Sequence, residues 1–142
     1  MGDDISAGIR SGSNAFRLMP EDDLFHAPSS LDVRHTAAGR AALLTYSWVH
    51  PEDGGQTGTL MLGTTGDDGV RTAGWVDSWH QPVVALLTGT DALLGYEYAP
   101  GWRWEVEVSA TDDAVTMAMH NVVPDGDDGP GGRYVVMQAT WT

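Results

Sequence analysis

The 142-residue chain is the size of one domain and carries a formal net charge of −13, with twenty acids, seven arginines and no lysine. Nucleic acids and anionic membranes are bound through basic patches that replace counterions on phosphates, and seven scattered arginines among twenty acids do not supply one. The absence of cysteine excludes disulfides, thiolate metal sites, iron–sulfur clusters and a cysteine nucleophile.

At the N-terminus, Met1-Gly2-Asp3-Asp4 is acidic and is followed by no apolar block, unlike a secretory signal. Together with the missing disulfides, this predicts a cytoplasmic protein. Residues 1–14 show little hydrophobic pattern and are expected to be a loose arm, with the folded domain spanning 15–142. Ala15 to Met19 reads as a short first strand, ended by Pro20-Glu21-Asp22-Asp23. Leu24-Phe25-His26 reads as a small apolar anchor, with a short helical turn possible there.

From Leu31 onward, runs of β-favouring residues alternate with clusters of Gly, Asp and Pro. The runs are Leu31–Thr36, Ala41–His50, Thr57–Thr65, Val70–His80, Val83–Thr88, Ala92–Ala99, Trp102–Ala110, Ala114–Val123 and Arg133–Trp141. Breakers such as Asp53-Gly54-Gly55 and Asp68-Gly69 supply the positive φ angles that tight hairpins demand. No segment sustains a helical period, and the connections are short enough to make sequence neighbours pair antiparallel. The chain is therefore expected to be all-β: a single up-and-down antiparallel barrel of about nine to ten strands. A two-layer sandwich is the other arrangement that fits this spacing.

Alternation sets the faces. Trp102, Trp104, Val106 and Val108 share one side of their strand, opposite Arg103, Glu105, Glu107 and Ser109, so the tryptophan side is expected to face inward. Val115, Met117, Met119 and Asn121 group likewise, with His120 opposite. In Val70–His80, the face with Trp75, Asp77 and Trp79 hides more apolar area than the face with Val76, Ser78 and His80, and is taken as interior. A barrel of this size is expected to enclose a cavity rather than a solid core.

Four blocks carry a family resemblance: Trp75-Val76-Asp77-Ser78-Trp79-His80-Gln81-Pro82, Gly95-Tyr96, Gly101-Trp102-Arg103-Trp104 and Met119-His120-Asn121-Val122-Val123-Pro124. From about Thr45 to the C-terminus, the chain resembles a bacterial, actinobacterial-type family of unknown function with a lipocalin-like (calycin) β-barrel. That family is distantly similar to nitrobindin and fatty-acid-binding proteins. The resemblance implies a closed barrel with an internal pocket but no particular activity. The nitrobindin comparison raises haem, which would need an inward histidine near the barrel mouth. His80 and His120 fall on the faces read as outward, so no cofactor is expected.

Asp77 between two indoles is the sharpest chemical feature. Burial would raise its pKa towards that of a catalytic acid, whereas hydrogen bonds from indoles and backbone would make it a structural fixture. Ser78 and His80 lie two residues apart along a strand, beyond hydrogen-bond reach, and Asp77 points away from His80 unless a bulge before Pro82 re-aims one of them. No hydrolase triad is supported. The five histidines, His26, His35, His50, His80 and His120, show no paired metal spacing, and Asp125-Gly126-Asp127-Asp128-Gly129 lacks the later ligands of a calcium loop, so no metal site is expected.

These features predict binding of a small hydrophobic or amphipathic molecule, with Asp77, Tyr96 and Asn121 orienting it, Trp75, Trp79 and Trp104 enclosing it, and His80 and Met119 beside them. One alternative is an isomerase- or cyclase-type enzyme using Asp77 or His80 in the same pocket. Another is a homodimeric interaction module; the chain itself is compatible with a monomer or a homodimer.

Overall fold

In the computed structural model, residues 5–126 and 129–142 are described. They form ten strands: β1 (Gly8–Phe16), β2 (Phe25–Thr36), β3 (Ala41–His50), β4 (Gly54–Gly63), β5 (Arg71–Asp77), β6 (Gln81–Thr90), β7 (Leu93–Ala99), β8 (Trp102–Ala110), β9 (Val115–Val123) and β10 (Gly132–Trp141). Each pairs antiparallel with its sequence neighbours, and β1 also pairs with β10. The result is one closed up-and-down barrel, as the spacing of the runs predicts and not the two-layer alternative. Among the described residues, no helix is long and apolar enough to cross a membrane.

Three expectations for the N-terminal region need correction. Residues 8–14 are not a loose arm but most of β1, which is bonded on both edges: Gly8 faces Val33 across β2, and Gly12 faces Trp141 across β10. The strand is held by backbone pairing rather than by an apolar stripe, which is why its Gly- and Ser-rich text looks unstructured. Gly12 has a further reason to lack a side chain, since a Cβ there would lie 1.8 Å from the Thr140 carbonyl oxygen. The first strand accordingly ends at Phe16 rather than running from Ala15 to Met19, and Phe25-His26 begins β2 instead of forming a helical turn. Residues 1–4 lie outside the described part, as do Asp127 and Asp128 of the acidic loop.

Inside closure, the Trp141 indole donates to Ser29 Oγ at 2.8 Å, linking β10 to β2 across the inner face of β1. Alternation holds where it was clearest. Val106 and Val108 point inward, as do Val115, Met117 and Met119. Trp102 departs from it: at the start of β8, where it pairs with Ala99 just past a register irregularity in β7, it is 38% exposed.

The interior is not hollow along its length. Trp48, Trp75, Trp141, Tyr46, Leu31, Leu44, Leu60, Leu87, Leu94, Met119 and Met137 are all essentially fully buried. Three indoles and a phenol bring enough side-chain volume to fill a ten-stranded barrel that leucines and valines would leave open. Free space lies towards both mouths: beside Ile5, Ala42 and Leu62 at one, and at the end that carries the β1–β2, β3–β4, β5–β6, β7–β8 and β9–β10 connections. There, β6 and β7 separate. Their ladder runs only from Thr88↔Gly95 to Thr90↔Leu93, so Gln81–Leu87 has no partner on β7.

Candidate ligand-binding site

The mouth is organised by the end of β5. Asp77 is buried and its carboxylate is fully engaged. Oδ2 accepts the Tyr46 hydroxyl at 2.6 Å and the Trp48 indole N–H at 3.1 Å. Oδ1 accepts the backbone N–H groups of Trp79 and His80, both at 2.9 Å. The Tyr46 hydroxyl in turn accepts the Trp75 indole N–H at 3.0 Å, which extends the network to a third indole. Burial alone would raise the Asp77 pKa. The His80 imidazole beside it, the Tyr46 hydroxyl and the His80 backbone N–H together outweigh burial and hold the carboxyl below its ordinary value. Burial, and then the Asp77 charge, push the Tyr46 phenol well above its ordinary value. Asp77 is thus an ionised structural fixture and not a general acid with a raised pKa.

Its two backbone contacts explain a second correction. By accepting from the residues two and three positions on, the Asp77 side chain closes a tight turn at Ser78–His80. The turn is also tied down by Ser78 N–H donating to the Thr57 carbonyl at 2.9 Å and by Ser78 Oγ donating to Gln56 Oε1 at 2.6 Å. Strand alternation therefore stops at Asp77. His80, expected outward, swings inward instead, and its side chain is only 6% exposed. This is the re-aiming that the sequence allowed for, produced by the turn together with a register irregularity between Trp75 and Asp77.

The His80 ring sits within aromatic contact of Phe16, Trp48, Trp75, Trp79 and Trp104, with centroid separations from 4.8 to 6.4 Å. Its Nδ1 is 3.3 Å from Asp77 Oδ1, close enough for an ion pair but too far off line for a hydrogen bond. Both ring nitrogens are buried without a hydrogen-bond partner, as is the Trp104 indole Nε1. Trp104 stacks on Trp75 with ring centroids 5.7 Å apart and planes 8° from parallel.

These side chains line a mouth cavity of about 270 Å³. Of the residues expected at a ligand site, Trp75, Trp79, His80, Tyr96, Trp104 and Asn121 form its wall. Two do not. Asp77 stands behind the wall, holding Tyr46 and the His80 turn. Met119 lies fully buried in the core, because alternation gives the face of a strand residue but not its depth along the barrel axis.

Sequence reasoning missed Leu18, Gln81, Tyr98, Tyr134 and Val136, which complete the wall. Three of these, Gln81, Tyr98 and Tyr134, belong to a polar rim with Tyr96 and Asn121. Tyr96 donates to Gln81 Oε1 at 2.5 Å, bridging the gap between β7 and β6. Tyr98 donates to Asn121 Oδ1 at 2.6 Å, and the Asn121 amide donates to the Tyr134 hydroxyl at 3.2 Å. Burial raises the Tyr96 and Tyr98 pKa values, which keeps both phenols protonated as donors. A tyrosine on each of β7 and β10 near a strand end was the available signal.

Haem, raised by the nitrobindin comparison, meets a mixed answer. The ground for setting it aside fails, since His80 is inward. The cavity, however, lies just below the ~300 Å³ at which small-molecule sites usually begin, and a tetrapyrrole with its propionates is too large for it. Among the described residues, no group of three or more His, Asp or Glu is placed to hold a metal ion. His120 does lie on the outer face, opposite Glu105 on β8; burial and then Arg133 lower its pKa, against the raising effect of Glu105 and Glu107.

No protein-family model matches the chain, and no curated protein matches it.

Proposed function

We propose that the protein is a small-molecule-binding β-barrel whose mouth cavity takes a compact, flat, amphipathic ligand. One observation carries this reading: an aromatic cavity whose wall holds two buried polar side chains with nothing to bond. An unpaired buried polar group costs about 1–3 kcal/mol, and proteins rarely leave two side by side. Trp104 can only donate, and the His80 ring can donate or accept. A ligand with an acceptor oxygen at one edge would satisfy them with little movement of the wall, while its flat apolar body lies against Trp75, Trp79 and Trp104. The tyrosine rim would contact its polar end. Asp77 supports the site from behind and does not touch the ligand.

The test is a panel of compact aromatic alcohols, ketones and carboxylic acids, read by tryptophan fluorescence and thermal shift. Binding by at least one class, weakened about tenfold in each of His80→Phe and Trp104→Phe, supports the reading. No response to any member, or binding unaffected by both substitutions, ends it.

A second reading has its own observation. The Asp77 carboxylate lies 3.3 Å from Nδ1, so a small turn of the His80 ring would pair the two and present Nε2 to a ligand as a carboxylate-oriented acid–base group. If His80 works this way, a panel member is converted as well as bound, and His80→Gln keeps binding while abolishing conversion. Binding without product in the wild-type protein rejects it.

A further inference from the structure

Among the described residues lining the mouth cavity, most polar side chains are already paired. Trp75 Nε1 donates to the Tyr46 hydroxyl at 3.0 Å, and Trp79 Nε1 donates to Asp53 Oδ2 at 2.9 Å. On the rim, Gln81 accepts from Tyr96 and donates to the Val83 carbonyl at 2.7 Å. Asn121 accepts from Tyr98 and donates to Tyr134, whose hydroxyl donates to the Leu18 carbonyl at 3.2 Å. Recognition of a polar ligand edge therefore falls to Trp104 Nε1 and the His80 ring. These two do not satisfy each other: their ring centroids are 5.3 Å apart with the planes 40° from parallel, and no hydrogen bond joins them.

Asp77 decides which role His80 plays. Its Oδ1 stands 3.3 Å from His80 Nδ1, and the carboxylate accepts from Tyr46, Trp48 and two backbone N–H groups. An ionised carboxylate can only accept, so a bare Nδ1 beside it would set lone pair against lone pair. The neutral ring therefore carries its hydrogen on Nδ1, which leaves Nε2 as an acceptor. The wall thus offers a ligand one donor, the Trp104 N–H, and one acceptor, His80 Nε2.

We infer that the ligand is a flat cyclic amide or imide, whose ring N–H donates to His80 Nε2 while the adjacent carbonyl accepts from Trp104 Nε1. This rests on the binding reading above and narrows its ligand. A cyclic amide carries donor and acceptor on neighbouring atoms of one rigid edge, so both are placed without ordering a flexible chain. An aromatic ketone or lactone satisfies Trp104 alone. A carboxylate presents acceptors only: one oxygen would face the Nε2 lone pair, and its charge would enter a site already backed by the Asp77 carboxylate.

Four bicyclic probes of similar size, titrated into the intact protein by calorimetry at pH 8, test this: 2-quinolone, N-methyl-2-quinolone, coumarin and 2-naphthoate. The first has the amide edge, the second and third lack the N–H, and the fourth is an anion. 2-Quinolone should bind about tenfold or more tightly than each of the others. His80→Phe should abolish its preference over coumarin, whereas Trp104→Phe should weaken both and keep the preference. Imidazole ¹⁵N shifts of the wild-type protein without ligand read the tautomer independently of any variant, and should place the His80 hydrogen on Nδ1. Coumarin or naphthoate binding as tightly as 2-quinolone, a preference that survives His80→Phe, or a neutral ring with its hydrogen on Nε2 overturns the inference and leaves the binding reading standing. No binding by any of the four overturns it too, and the binding reading falls with it if the alcohols, ketones and acids are also silent.

Discussion

The Tyr46 hydroxyl donates to the Asp77 carboxylate at 2.6 Å across the barrel interior, joining β3 to β5 where the mouth begins. The same carboxylate takes the Trp48 indole and two backbone N–H groups, so one buried charge fixes an indole, a phenol and the turn that delivers His80. Asp77→Asn keeps the shape but replaces an acceptor oxygen with a donor that Tyr46 and Trp48 cannot use. It is expected to cost about 3 kcal/mol in chemical denaturation. Tyr46→Phe should cost less, and the double variant should cost less than the sum, because the two residues share one network.

Acid should act through the same group. The Asp77 pKa is lowered in the folded state, so the unfolded chain binds its proton first as pH falls. Its contribution is complete above the ordinary aspartate pKa and is lost as pH falls through the lowered folded-state value. Stability curves of wild-type and Asp77→Asn protein should therefore converge on the acid side and stay parallel from pH 5 to 8. Curves that remain parallel through the acid range would show that Asp77 is not ionised in the fold.

Gly58 makes room for this network. A Cβ at this position would lie 2.2 Å from the Tyr46 hydroxyl oxygen and 2.8 Å from Asp77 Oδ2. Gly58→Ala should destabilise by about 1–3 kcal/mol, the range for an overpacked core. Gly55 on the same strand has nothing within 4 Å of where a Cβ would stand, and Gly55→Ala should change stability by less than ~0.5 kcal/mol.

The gap between β6 and β7 should be visible in hydrogen exchange. Amides in β6 that point towards β7 before Thr88 have no ladder partner, whereas β3 and β4 are paired from Ala41↔Gly63 to His50↔Gly54. Residues 83–87 are expected to include fast-exchanging amides, and β3 should be among the slowest. Tyr96→Phe removes the side-chain bridge to Gln81 and should speed exchange there further without altering β3.

How far the sequence reached depended on what alternation encodes. Trp104, Val106 and Val108 on one strand, and Val115, Met117 and Met119 on the next, showed their inner face because each strand is regular. Tyr96, Asn121 and the paired tryptophans of the site followed from the same logic, whereas Tyr98 and Tyr134 were missed. Alternation could not reveal β1, whose glycines and serines are ordered by neighbours on both edges. Nor could it place Met119 below the cavity rather than in its wall. His80 was misassigned because its direction depends on a side chain, Asp77, capping the backbone that follows. The saturation of Asp77 depends on Tyr46 and Trp48, donors about thirty residues earlier that only the closed barrel brings to it.

The binding reading turns on the tryptophans, and their indole N–H resonances can be followed one by one. In a ¹⁵N-labelled sample titrated with the compact aromatic panel, the Trp104 indole signal should move most, with Trp75 and Trp79 following. Trp141, sealed in the closure against Ser29, should stay fixed. Perturbation confined to the exposed Trp102, or six indole signals that no compound moves, would contradict a ligand site at the barrel mouth.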